Sequence, residues 1–161
     1  YFPAFAMSAF RLGLIADIQY ADCDDGTDFS GQEHRYFRNS LNIARRAVDC
    51  WNAEGVDAVV QLGDIIDGCN SKLKESEKAL KSVLEVLSKS PVPRYDLIGN
   101  HELYNLHREA LEKCGLHFGP TGKSYYSAHL GDSWEGIFLD PFEVALIGLS
   151  QDSPEFREAT Q

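Results

Sequence analysis

Three short apolar segments of this 161-residue chain each run into polar side chains that can bind a metal ion or move a proton. The segments are residues 11–16, 56–62 and 95–99, and the polar residues after them are Asp17 and Gln19, then Asp64, then Asn100 and His101. A polar turn after one buried strand is ordinary. Three such turns in one chain indicate a shared site.

The rest of the chain has the spacing of a mixed α/β protein. Apolar residues at three- and four-residue steps predict helices at residues 33–54, 72–88 and 105–113. Strands are predicted at residues 11–16, 56–62 and 94–98, then at 124–130, 135–139 and 144–150, with another helix beginning at Ser153. Alternating strands and helices favour a mostly parallel sheet, in which ligands bind at the carboxyl ends of the strands. We therefore expect the polar residues to converge on one edge.

Composition narrows the classes of partner. The net charge of −10 argues against nucleic acid, which requires a basic face. No segment approaches the roughly 18 consecutive apolar residues of a membrane span, and residues 1–10 lack the basic leader of a signal peptide. The four cysteines have no CxxC spacing, so we expect reduced thiols and a cytoplasmic location. We also expect a monomer.

The chemistry of the polar set points to a hard divalent cation. Carboxylates, amides and an imidazole, with no thiolate, suit Mg²⁺, Mn²⁺ or Fe²⁺ better than a structural zinc. Asp64 has two carboxylate oxygens and can bridge two ions roughly 3.5–4 Å apart. Paired cations clamp a phosphate and generate hydroxide from water at neutral pH. On this reasoning His101 is either a metal ligand or a proton donor.

These motifs resemble those of the calcineurin-like metallophosphoesterase family. Its D-x-H, G-D and G-N-H-[ED] pattern matches Asp17-Ile18-Gln19, Gly63-Asp64 and Gly99-Asn100-His101-Glu102. The resemblance implies a layered sheet sandwich flanked by helices (αββα), with mostly parallel strands in its first part. It implies two divalent cations, held by Asp17, Gln19, Asp64 and Asn100. It also implies that His101 is catalytic and sits beside the leaving group or the transition-state oxygens.

One departure from the family pattern concerns the metal. Gln19 replaces the usual histidine, and an amide oxygen is a harder, weaker ligand that favours Mn²⁺, with Mg²⁺ as the alternative. This feature resembles the manganese-dependent ADP-ribose/CDP-alcohol diphosphatase branch. The resemblance implies hydrolysis of the diphosphate linkage of ADP-ribose, CDP-choline and related compounds, by a two-metal-activated hydroxide, to a nucleoside monophosphate and a phosphoester.

A second departure concerns length. The family places further histidine motifs in a C-terminal half. His117 and His129 lack that context and are interpreted as surface or partly buried histidines. Residues 1–161 are therefore expected to be the N-terminal half of one metallophosphoesterase domain, inactive without a second segment. Residues 1–9 are expected to be disordered or appended to the native chain.

Two further residues are candidates for substrate binding. Phe29 lies in a polar loop and could stack on a nucleobase, or simply anchor the loop. Arg35 could pair with a substrate phosphate, or lie on a solvated helix face. Asp67 is expected to cap the turn after Asp64. The alternatives for function are another binuclear phosphoesterase, either a protein phosphatase or a cyclic-nucleotide phosphodiesterase, and a non-catalytic protein-binding scaffold of the same fold.

Overall fold

The structure is a computed structural model that describes residues 9–28, 30–143, 145–147 and 149–160. Most of residues 1–9, which the sequence predicts to be disordered or appended, lie outside the described residues. The strands are β1 (Leu12–Ile15), β2 (Gly26–Thr27), β3 (His34–Arg35), β4 (Ala58–Gln61), β5 (Arg94–Asp96), β6 (Tyr126–Leu130) and β7 (Trp134–Phe138). The helices are α1 (Phe37–Glu54), α2 (Cys69–Leu73), α3 (Ser76–Leu87), α4 (Asn100–Asn105), α5 (Arg108–Lys113) and α6 (Pro154–Ala159).

A three-stranded parallel sheet in the order β1–β4–β5 forms the centre. Central strand β4 is buried along its whole length, which is typical of a parallel sheet covered on both faces. In the register, Leu14 pairs with Val60 and Val60 pairs with Tyr95. The carboxyl ends of all three strands therefore lie at one edge, as the alternating pattern predicts.

Helices cover one face of this sheet. The apolar sides of α1 and α3 form the main core there, with Val48, Leu80 and Val83 almost fully buried around Val59. Helix α1 approaches β1 closely because residue 13 is glycine: a Cβ at Gly13 would lie 2.9 Å from the indole nitrogen of Trp51. This close packing fixes the position of the segment that follows β1.

The antiparallel hairpin β6–β7 covers the other face. Val60, Tyr126 and Phe138 form a second buried cluster, and the rings of Tyr95 and Phe138 stack with centroids 5.1 Å apart. The order of layers is therefore helices, parallel sheet, hairpin, which agrees with the predicted layered α/β fold. Among the described residues, no helix combines the length and apolar character needed to cross a membrane.

Several predicted boundaries were wrong because non-local contacts decide them. Helix α1 begins at Phe37 rather than at residue 33, because His34 and Arg35 pair with β2. The predicted helix at 72–88 is two helices, since Lys74 adopts a left-handed conformation (φ 58°) that ends α2. The predicted helix at 105–113 begins later, as α5, and a separate helix, α4, precedes it.

The C-terminal predictions have mixed outcomes. The strands predicted at 124–130 and 135–139 correspond to β6 and β7, and α6 begins after Ser153, whose side chain accepts a hydrogen bond from the Phe156 N–H. The strand predicted at 144–150 is wrong where the structure describes it: residues 145–147 form bends and a turn, and residues 149–150 have no regular secondary structure. The Leu149 N–H donates to the Leu146 carbonyl, a local turn bond in place of pairing with a strand.

Candidate metal centre

Main-chain hydrogen bonds join the loops that follow β1 and β4. The Asp17 N–H donates to the Gly63 carbonyl at 3.2 Å, and the Gln19 N–H donates to the Asp64 carbonyl at 2.9 Å. These bonds bring the first two predicted motifs together at the carboxyl edge of the sheet. The predicted convergence of these loops is therefore present in the fold.

The Asp64 carboxylate is the point at which all three motifs meet. Its Oδ2 accepts a hydrogen bond from the Gln19 side-chain amide at 3.5 Å. Its Oδ1 accepts one from the main-chain N–H of His101 at 3.0 Å. The second contact places Asn100, the residue before His101 and the first of helix α4, beside the same carboxylate group.

Three predicted metal ligands have a left-handed backbone conformation. Asp17, Gln19 and Asp64 have φ values of 53°, 43° and 55°. Such conformations cost of order 1–3 kcal/mol each in non-glycine residues, and they cluster at functional sites where the surrounding structure enforces them. Lys74, at the end of α2, is the other non-glycine residue with positive φ among those described. Most of the positive φ values at non-glycine residues therefore fall in the predicted motifs, which supports the predicted site.

Two glycines allow the loops to approach each other. A Cβ at Gly99 would lie 2.5 Å from the main-chain nitrogen of Asp64. A Cβ at Gly63 would lie 2.7 Å from the nitrogen of Gly99, and Gly63 also has φ of 102°, which side chains rarely adopt. Larger residues at either position would separate Asp64 from the start of α4.

The buried side chain of Glu102 stabilises the close approach of these two loops. This role was not predicted from the sequence. Glu102 is completely buried, and its carboxylate accepts hydrogen bonds from the N–H groups of Asp64 at 2.8 Å, Ile65 at 2.6 Å and Gly99 at 2.8 Å. Burial raises the pKa of this carboxyl, while the three N–H donors oppose the rise. The signal was available: a glutamate three residues after the N-cap residue is the acidic half of a capping box, and its side chain bonds the N-cap N–H.

Hydrogen bonds define the orientation and the neutral tautomer of the His101 ring. The Gly68 N–H donates to His101 Nδ1 at 2.9 Å, so in the neutral ring the proton is on Nε2. The Asp67 carboxylate lies 3.7 Å from the same Nδ1, and the side-chain amide of Asn105 donates to the His101 carbonyl at 2.7 Å. The ring is thus oriented with an N–H group free to donate from Nε2.

Asp67 connects His101 with Arg35. Its carboxylate accepts a hydrogen bond of 2.9 Å from the Arg35 guanidinium, whose side chain is 31% exposed. It also accepts one from the Cys69 N–H at 2.8 Å, so the turn-capping role expected for Asp67 is confirmed. The ion pair with Arg35 is an additional role that the local sequence did not reveal.

Arg35 shares a cavity with the predicted metal ligands. A cavity of about 160 Å³ is lined by Asp17, Gln19, Arg35 and the exposed aromatic ring of Tyr36, among others. Arg35 therefore lies in β3, in a cavity shared with two of the four predicted metal ligands, and not on a solvated helix face. Phe29, the other predicted substrate contact, lies outside the described residues.

The residues present fit a pair of hard divalent cations. Among the described residues, no cluster of three His, Cys, Asp or Glu side chains is placed to hold a metal. The ligand set predicted from the sequence combines two carboxylates, those of Asp17 and Asp64, with the amides of Gln19 and Asn100. Such an oxygen-rich set suits Mn²⁺ or Mg²⁺ and does not suit a closed zinc site.

Comparison with known proteins agrees with this geometry. Residues 10–149 match the family model described as calcineurin-like phosphoesterase. The chain belongs to the calcineurin-like phosphoesterase family. The predicted resemblance is confirmed over nearly the whole chain.

Named relatives within the calcineurin-like phosphoesterases are similar over about 90% of this chain. The manganese-dependent ADP-ribose/CDP-alcohol diphosphatases of Bos taurus and Arabidopsis thaliana are 38% and 39% identical to it, over 92% and 90% of its length. A dimetal phosphatase from Danio rerio is 35% identical, with a TM-score of 0.86 over 94% of this chain and 50% of that one. The chain spans 49% and 46% of the two diphosphatases, about half of their length.

A more distant structure supports the fold alone. Purple acid phosphatase PPD1 from yellow lupin is 13% identical, with a TM-score of 0.51 over 92% of this chain. The layered architecture is therefore shared well beyond the range of recognisable sequence identity.

Proposed function

We propose that the protein is a metal-dependent hydrolase that cleaves the diphosphate linkage of nucleoside-diphosphate-linked small molecules such as ADP-ribose and CDP-choline. The products are a nucleoside monophosphate and a phosphoester. The observation that carries the proposal is the meeting of the three motifs at Asp64, with Gln19 and His101 both bonded to its carboxylate. The names of relatives that are similar over about 90% of the chain support this substrate class.

In this proposal Asp17, Gln19, Asp64 and Asn100 hold two divalent cations, Mn²⁺ by preference. Bound cations would neutralise phosphate charge and activate a water molecule for attack. The positive φ values of Asp17, Gln19 and Asp64 support the assignment, because a backbone held in a costly conformation keeps these donors in place before any ion arrives.

His101 acts on the phosphate oxygens or the leaving group. Its Nδ1 is occupied by the Gly68 N–H, which leaves the Nε2 proton for donation. The Asp67 carboxylate lies 3.7 Å from the same Nδ1, on the side of the ring away from Nε2. Loss of such a proton donor typically lowers turnover about 10²–10⁴-fold.

Arg35 binds the second phosphate of the diphosphate. Its guanidinium is positioned by Asp67 and lines the same cavity as Asp17 and Gln19. A planar guanidinium can bond two phosphate oxygens at once. Phe29 remains a predicted base-stacking residue.

The first experiment measures Mn²⁺-dependent release of AMP from ADP-ribose by the native full-length protein, compared with its His101→Ala variant. We expect kcat to fall about 10²–10⁴-fold while Mn²⁺ affinity, measured by calorimetry, is retained. The matched control is His129→Ala, because His129 is 88% exposed on the hairpin. Undiminished turnover in His101→Ala would remove this residue from the mechanism.

The second experiment tests Arg35 with Arg35→Gln. We expect KM for ADP-ribose to rise about tenfold or more, with Mn²⁺ affinity unchanged. Arg38→Gln is the control, since Arg38 also pairs with carboxylates, those of Asp22 and Asp24, but on the exposed surface. Equal behaviour of the two variants would contradict the assignment.

A substrate panel at fixed Mn²⁺ separates the alternatives. Preference for a phosphopeptide or a cyclic nucleotide over ADP-ribose and CDP-choline would replace the diphosphatase proposal with one of the other phosphoesterase activities. A full-length protein that binds no Mn²⁺ would instead be a scaffold of the same fold.

A further inference from the structure

Two thiols with no part in the proposed reaction lie side by side, one after the first motif in the chain and one after the second. The Sγ atoms of Cys23 and Cys69 are 3.8 Å apart, although 46 positions separate these residues in the chain. Both cysteines are free and partly exposed, so small reagents in solution can reach them. Such proximity between distant segments is a property of the fold, not of local sequence.

The two cysteines belong to the loops that carry the first two motifs. Cys23 follows Gln19 in an irregular segment that leads to β2. Cys69 is the first residue of α2, and its N–H donates to Asp67, the residue that contacts Arg35 and His101. A bond between these sulfurs would tie the loop after β1 to the loop after β4.

We propose that Cys23 and Cys69 are a redox modification site, at which a small disulfide such as oxidised glutathione converts the two thiols into an intramolecular disulfide. A disulfide needs the sulfurs about 2.05 Å apart, so they must approach by roughly 1.8 Å. Cys23 lies at a bend, outside the helices and strands, so this approach does not require a change in a regular element on its side.

The chemistry balances with oxidised glutathione as the oxidant. The thiolate of one cysteine attacks a glutathione sulfur, forms a mixed disulfide and releases one glutathione thiolate. The thiolate of the partner then attacks the protein sulfur of that mixed disulfide and releases the second glutathione. Two electrons pass to glutathione, and the two thiol protons end on the two glutathione molecules formed.

The surroundings of Cys69 affect the rate of this thiol–disulfide exchange. Burial, with a further contribution from the Asp67 carboxylate, raises the pKa of the Cys69 thiol to about 12. Cys69 is therefore mainly a thiol at neutral pH, and formation of the disulfide is expected to accelerate as pH rises toward 9.

The disulfide would stabilise the fold by closing a long loop that contains α1, β4 and Asp64. Closing a loop of this length restricts the unfolded chain, and the expected gain raises the midpoint of thermal unfolding by about 10 °C. This consequence does not depend on the proposed enzymatic activity.

The test treats the protein with oxidised glutathione at pH 8, blocks the remaining thiols with N-ethylmaleimide and maps peptides without reduction. We expect a cross-linked peptide pair containing Cys23 and Cys69, with Cys50 and Cys114 alkylated, and a higher unfolding midpoint that dithiothreitol reverses. Separate glutathione adducts or unreacted thiols at Cys23 and Cys69, or a disulfide that leaves the midpoint unchanged or lower, would overturn the proposal.

Matched variants sharpen the result. Cys50→Ser/Cys114→Ser should retain both the cross-link and the rise in midpoint, while Cys23→Ser should lose both. If Cys23→Ser folds poorly, the comparison of oxidised with reduced wild-type protein tests the proposal instead, because both samples have the same sequence. Loss of the rise in Cys50→Ser/Cys114→Ser would also contradict the assignment.

Discussion

The side chain of Glu102 accepts a hydrogen bond of 2.8 Å from the main-chain N–H of Asp64, 38 positions earlier in the chain. The same carboxylate bonds the N–H groups of Ile65 and Gly99. One buried acceptor therefore sets the distance between the loop after β4 and the start of α4. The geometry of the candidate metal centre depends on a residue that is not itself a predicted ligand.

Replacing Glu102 by glutamine should weaken both the fold and the metal site. An amide has one acceptor oxygen in place of two, so at least one N–H group would be left unsatisfied or would face the NH₂ group. We expect the free energy of unfolding to fall by about 1–3 kcal/mol and Mn²⁺ affinity to fall about tenfold or more. Urea denaturation and calorimetric titration measure the two effects.

Glu112→Gln is the control for this change, because Glu112 is exposed on α5. It should leave both quantities unchanged. Equal stability and Mn²⁺ affinity in Glu102→Gln and wild type would show that the buried carboxylate does not position Asp64.

Gly99→Ala should disrupt the site by sterics alone. The new Cβ would lie 2.5 Å from the Asp64 nitrogen, so the two loops must move apart. We expect a loss of about 1–3 kcal/mol in stability from overpacking and a marked loss of Mn²⁺ affinity by calorimetry. Gly68→Ala is the matched control, since its Cβ would make only ordinary contacts, the nearest at 3.6 Å to Tyr104. Similar Mn²⁺ affinities for the two variants would argue against the close approach.

The two histidines 101 and 129 should adopt opposite neutral tautomers. His101 Nδ1 accepts from the Gly68 N–H, which leaves the proton on Nε2. His129 Nδ1 lies 2.8 Å from the Glu135 carboxylate, which requires a proton on Nδ1. Long-range ¹H–¹⁵N correlation spectra of the neutral rings distinguish the two forms. A proton on Nδ1 of His101 would contradict the assigned hydrogen bond.

Tyr126→Phe should destabilise the packing of the hairpin on the sheet. The phenol accepts a hydrogen bond from the Asp96 N–H at 3.0 Å and donates one to the Asp96 carbonyl at 3.1 Å. Removing it leaves a buried N–H group unpaired, at a cost of about 1–3 kcal/mol in unfolding free energy. Denaturant titration measures this cost, and Tyr125→Phe, at an exposed neighbouring position, is the control.

The same residue predicts a dependence on alkaline pH. Burial raises the pKa of Tyr126 above its ordinary value near 10. The folded state therefore keeps a proton that the unfolded state loses, and the stability from this group is complete below about pH 10 and declines as pH rises above it. The decline between about pH 10 and 11 should be shallower in Tyr126→Phe; identical slopes would contradict a raised pKa.

The features that follow from local sequence were predicted well. The apolar runs at β1 and β4 and the stripe of α1 are read directly from residues a few positions apart. The convergence of Asp17, Asp64 and His101 followed from a general rule about parallel sheets. A prediction of this kind depends on the order of strands and helices and needs no knowledge of side-chain contacts.

The features that depend on distant contacts were missed. The pairing of His34 and Arg35 with β2 shortened a predicted helix, because a two-residue ribbon has no periodic signal. Asp67 was recognised as a cap, yet its pairing with Arg35 arises from two segments 32 positions apart. The apolar stretch at 144–150 has strand composition, but the described residues there form no strand, since composition alone does not supply a partner strand.

The left-handed backbone at Gln19 restricts which donors this position can offer to a metal. Asparagine, aspartate and histidine tolerate φ near 43°, whereas β-branched residues do not. Exchange of Gln19 for the family's histidine is therefore permitted by the main chain, so metal preference can drift by a single substitution without rebuilding the loop. The main-chain conformation of Gln19, next to its bond to the Asp64 carbonyl, therefore limits which side chains this predicted ligand position can carry.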